Sequence, residues 1–137
     1  MHALERLTAL RVAATAAALD VVLWPDEAIV LRTAGDEAVV LLGQRLAAGQ
    51  SGGIGSFQIG DEHAITATDT SLYGVWVEHA DALAILEREC EWELPALRPA
   101  FAQGAVAGLP MKLWFEADRV LFVVAAPFAT DFADRIR

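Results

Sequence analysis

The sequence predicts an α+β fold with a mostly antiparallel sheet. Strand-like and helix-like segments are mixed, with hairpins in place of regular β-α alternation. Short apolar runs are punctuated by turn residues such as Pro25-Asp26 and Gly60-Asp61. A glycine-rich stretch, Gly49 to Gly55, separates a first half at about 1–50 from a second at about 54–137. The predicted order is β-β-α, the break, then β-β-β-α and β-β-α. At 137 residues the two similar halves form one domain.

The elements follow in chain order. Leu4 to Ala18 is ambiguous: Leu7, Leu10, Ala14 and Ala17 suit a helical face, Leu10-Arg11-Val12 suits a strand, and the alanines favour the helix. Val21–Trp24 and Ala28–Leu31 read as a hairpin across Pro25-Asp26. Asp36 and Glu37 are first-turn acids for a helix from Asp36 to about Ala48, ended by Gly49. Phe57 and Ile59 flank Gln58 in strand alternation. Ala64–Thr68 and Leu72–Val77 are two strands separated by Asp69-Thr70-Ser71. Ala80–Cys90 is a helix that Asp81 either caps or supplies with a first-turn charge, with Leu83 and Leu86 inward; Pro95 and Pro99 prevent its continuation. Gly104–Phe115 is a long strand interrupted at Pro110. Asp118 turns the chain into a buried strand, Val120–Ala125. Phe128, Phe132 and Ile136 share one face of a closing helix.

Composition narrows the function. The net charge of −9 and the single lysine, Lys112, argue against nucleic acid and against an anionic membrane surface. Ala13–Leu23 is apolar but too short to span a bilayer, and Asp20 interrupts it. The only cysteine, Cys90, excludes an intrachain disulfide, and no signal peptide is visible, so the expected setting is cytoplasmic. Hydrophobic residues make up 55 % of the chain. Leu72–Val77 and Val120–Ala125 are apolar on both faces, so helices, a second sheet or a partner must cover them.

The chemical candidates are few. The glycines between Gly49 and Gly55 lack a G-x-G-x-x-G or Gly-Lys-Ser/Thr pattern and precede a strand, which argues against a nucleotide loop. Asp61-Glu62-His63 places a carboxylate beside an imidazole, but no second His or Cys completes a metal set, and a solvated turn is expected. At the end of a helix and between Glu89 and Glu91, Cys90 is expected to be an unreactive thiol. Asp69 and Ser71 are expected to satisfy neighbouring amides at a turn, with substrate contact as the alternative. Of the four tryptophans, Trp24 and Trp76 suit the core. Trp92, between Glu91 and Glu93, and Trp114, two residues after Lys112, are candidate interface residues or partly buried within the chain. No catalytic, cofactor-binding or metal-binding residue is assigned.

Several of these segments also form an ordered series. It runs through Asp69-Thr70-Ser71, Leu86-Glu87-Arg88-Glu89-Cys90, Glu91-Trp92-Glu93-Leu94, Phe101-Ala102-Gln103-Gly104, Leu109-Pro110-Met111-Lys112-Leu113-Trp114 and Pro127-Phe128-Ala129-Thr130-Asp131-Phe132. In order and spacing it resembles the gamma subunit of heterotetrameric sarcosine oxidase, within the wider glycine-cleavage T-protein and folate-binding family. The pattern departs from the family at Glu78-His79 and at Ala126-Pro127, and it is weak in the first half. The resemblance implies a folate-binding-domain-like fold and a non-catalytic assembly subunit without its own cofactor. Larger flavoprotein subunits would carry the flavin and oxidise an N-methylamine. The alternatives are a small folate-binding aminomethyl-transfer protein and a stand-alone homo-oligomer of the same fold.

Overall fold

The computed structural model describes residues 3–41 and 57–136. Among these residues the fold is α+β, and every strand pair with an assigned register is antiparallel. The chain divides into two compact units. One is Leu7–Thr70; the other joins Met1–Arg6 to Ser71–Arg137. The expected glycine-rich break at Gly49–Gly55 lies outside the described residues.

In the Leu7–Thr70 unit the first strand is β1 (Glu5–Ala13), whose first two residues belong to the other unit. This corrects the helical preference for Leu4–Ala18. Leu10 and Val12 are buried on one face while Arg11 points to the other, a period-two pattern that outweighs the helix propensity of the alanines. Only Ala16–Asp20 is helical (α1). Its Thr15 cap accepts the Ala18 amide at 3.2 Å.

The expected strand at Val21–Trp24 is not formed. Val21 and Leu23 are 74 % and 88 % exposed, and Pro25 starts a turn closed by the Ala28 amide on the Pro25 carbonyl at 2.9 Å. The hairpin lies one turn later, between β2 (Ile29–Ala34) and β3 (Glu37–Leu41) across Gly35-Asp36. The helix expected from Asp36 is therefore a strand over Glu37–Leu41, and the rest of that expectation falls outside the described residues. Ala38, Val39 and Val40 are each fully buried, which a strand covered on both faces allows.

A bulge between Leu31 and Ala34 shifts the β2–β3 register. Arg32, in the bulge, donates to the carbonyls of Ala34, Gly35 and Ala16 and pairs with Asp20 at 2.8 Å. One guanidinium thus ties the hairpin turn to α1. Leu10, Val12, Leu19 and Val40 form the core on one face, bordered by Trp24 and Phe57 with ring centroids 4.9 Å apart. Phe57 and Ile59 pack there without forming the expected strand.

The two strands expected around Asp69 are one, β4 (Ile65–Glu78). Asp69-Thr70-Ser71 is therefore strand interior and not a turn. The division between the two units falls at Thr70/Ser71 within this strand.

In the other unit β4 pairs with β7 (Arg119–Ala125), β7 with β6 (Leu109–Phe115), and β6 with β5 (Ala100–Val106). Helix α2 (His79–Glu89) falls where the sequence places it, with Asp81 in its first turn and Ile85 and Leu86 buried; Leu83 is half-buried. A 3₁₀ turn over Ala126–Phe128 leads into α3 (Ala129–Arg135). Phe132 and Ile136 are buried and Phe128 packs against the same core, so the predicted apolar face is present. Phe122 and Phe132 stack at 5.7 Å within a core that includes Phe115, Leu113, Val77 and Leu86.

Both faces of β7 are covered within this single chain. Val120, Phe122 and Val124 are at most 1 % exposed on the core face, and Leu121 and Val123 are 3 % and 1 % exposed on the other. The two-sided apolarity of this strand therefore does not by itself require a partner.

The single long strand expected over Gly104–Phe115 is a hairpin. Its turn residues, Ala107 and Gly108, have φ of 54° and 75°, the pairing of positive angles that a tight two-residue hairpin needs. Ala107 is held there by its amide on the Glu89 carbonyl at 2.8 Å and by Arg135, which donates to its carbonyl. Pro110 is tolerated because it lies beyond the end of the β6–β7 register, which starts at Lys112 opposite Val123.

A left-handed alanine costs roughly 1 kcal/mol relative to an unstrained residue. Ala107→Gly is therefore expected to be neutral or stabilising, by up to about 1 kcal/mol, whereas Gly108→Ala is expected to destabilise. Urea unfolding of the two variants checks the contrast.

Candidate functional site

The sequence candidates do not converge on one site. Asp61-Glu62-His63 forms the expected turn, closed by the Ala64 amide on the Asp61 carbonyl at 3.1 Å. Glu62 and His63 are each 87 % exposed at the side chain and lie 3.4 Å apart. Asp61 works locally, accepting the amide of His63 at 2.9 Å and that of Thr15 at 3.0 Å. These two amide donors, His63 first, hold its carboxyl below the usual value of 3.8.

Asp69 belongs to a polar cluster on the sheet of the Leu7–Thr70 unit. Arg11 on β1 donates to Asp69 at 2.8 Å and to Glu37 at 3.3 Å, and the Thr33 hydroxyl donates to Glu37 at 2.6 Å. The Asp69 side chain is only 12 % exposed, so its charge is met by the guanidinium. Arg11 joins three strands and Thr33 adds the fourth through Glu37, which is a structural use of these side chains. Ser71 lies in the other unit and is exposed.

Cys90 ends α2, with its amide on the Leu86 carbonyl and its Sγ 3.6 Å from the Trp92 carbonyl. It is half-buried against the core of that unit.

Trp92 lies in the loop between α2 and β5. Its indole N–H donates to the Ala105 carbonyl at 2.9 Å. The ring lies over Gly104, where an added Cβ would meet the indole at 2.8 Å. Gly104 is thus required by close approach of the ring. β5 is the last strand of its sheet; its Ala105 carbonyl is taken by Trp92, and the amide of Ala107 in the turn that follows is taken by Glu89. The loop blunts an edge that would otherwise invite strand addition. The Trp92–Gly104 seat was legible only as separate letters, since nothing local links positions twelve apart.

Trp114 sits on β6 between Phe101 of β5 and Leu121 of β7, and Leu121 is opposite Trp76 of β4. Three half-buried aromatic residues and a buried leucine thus form a row on the sheet face opposite the one that α2 and α3 pack against. Glu116 accepts the Trp114 indole at 3.1 Å and Arg119 at 2.9 Å, and Arg119 lies 3.6 Å above the Trp76 ring. The two tryptophans are therefore held by one charged pair. An open hollow of about 380 Å³ lies along the same hairpin, lined by residues including Gln103, Pro110 and Lys112.

Among the described residues no polar or charged residue is buried, and no three His, Cys, Asp or Glu side chains gather as metal ligands. No helix of the described residues is long and apolar enough to cross a membrane.

Comparison with solved structures returns a chain of the heterotetrameric sarcosine oxidase from Corynebacterium sp. U-96 in complex with pyrrole 2-carboxylate. The TM-score is 0.68 at 17 % identity, over 98 % of this chain and 81 % of that one. The two chains share a fold. No protein-family model matches the sequence, and no curated protein matches it. The likeness to sarcosine oxidase thus rests on three-dimensional structure, and it agrees with the resemblance carried by the motifs between Asp69 and Phe132.

Gly104→Ala is expected to force the Trp92 ring from its seat and to destabilise the chain by about 1–3 kcal/mol. The Trp92 indole N–H, assigned by Trp92→Phe, should then exchange faster in NMR spectra. A second expectation concerns acid. The folded pKa of Asp61 is depressed, so its contribution is fully present above the ordinary value and is lost as pH falls through the folded value. The stability difference between the native chain and Asp61→Asn should therefore shrink as pH is lowered from neutral to below that value, measured as urea midpoints.

Proposed function

We propose that this chain is an accessory subunit of the sarcosine oxidase gamma type. It would bind larger flavin-containing chains, and those chains would oxidise a secondary N-methylamine. The observation that supports this most is the fold shared with a sarcosine oxidase chain along nearly the whole length of this one. The proposal includes a single domain of two folate-binding-domain-like halves and a cytoplasmic setting, the latter in keeping with the lone thiol at Cys90.

Within this proposal Trp114 and Trp92 are the contact residues. Trp114 suits the part better, since Glu116 and the Arg119–Trp76 pair fix its surroundings before any partner arrives, and fixed aromatic residues lose little freedom on binding. Trp92 is already engaged with Gly104 and Ala105, so only its outer edge is available.

The test is co-expression with the flavin-containing chains of a heterotetrameric sarcosine oxidase, followed by purification on a tag placed here. The expected result is a yellow complex in fixed stoichiometry, while the chain expressed alone is colourless. Trp114→Ala should lower recovery of the flavoprotein at least tenfold, equivalent to about 1.4 kcal/mol or more, without changing the urea midpoint to the same degree. A chain that purifies free of flavoprotein as a homo-oligomer would favour the stand-alone alternative.

A further inference from the structure

No further inference is drawn: the strongest candidate, the exposed apolar pair Val21 and Leu23 on the segment after α1 in the Leu7–Thr70 unit, carries nothing because nothing in the structure shows what covers it.

Discussion

The Ser71–Arg137 part of the fold depends on the burial of β7 on both faces. Five consecutive residues, Val120 to Val124, are almost completely withdrawn from water. Such a strand cannot slip by one residue without exchanging Phe122 and its neighbours between faces of different shape. Its position between β4 and β6 passes that register outward, to Val75 opposite Phe122 on one side and Leu113 opposite Phe122 on the other. The same Phe122 ring receives Phe132 from α3. One strand thus sets the positions of its two neighbours and of the closing helix.

The second half was more legible in the sequence than the first, for a physical reason. In α2, α3 and β7 local pattern and tertiary burial demand the same structure, so apolar spacing alone places them. In the first half they conflict. The alanines of Leu4–Ala18 and the acids Asp36 and Glu37 have helical preferences. The sheet needs strands there, because Leu10, Val12 and Val40 must meet on one face. The Gly35-Asp36 pair between β-branched runs was the available hairpin signal, and it was masked by the helix signal of the acids. The Ala107-Gly108 turn was hidden differently. Alanine is rarely placed at positive φ, and the groups that hold it there, Glu89 and Arg135, are distant in sequence.

The candidate site shows a similar limit. The sequence marks Trp92 and Trp114 as unusual, flanked by charge. It does not reveal that Trp92 closes the edge at β5 or that Trp114, Glu116, Arg119 and Trp76 form a connected set across three strands. Asp69 was expected to serve a local turn, whereas it lies inside a strand and pairs with Arg11, which comes from 58 positions away. Such long-range pairs are fixed by register, and register was the least accessible feature of this sequence.

The proposed assembly role would use these features together. Arg11, Glu37 and Asp69 hold strands together, and a row of half-buried aromatic residues lies on one sheet face of the Ser71–Arg137 part. The most direct measurement is sedimentation velocity of the purified chain mixed with the purified flavin-containing chains of a heterotetrameric sarcosine oxidase, followed in flavin and protein absorbance. The account predicts that the flavin boundary moves faster on addition of the chain and saturates at a fixed molar ratio. A flavin boundary unchanged at every ratio would contradict it.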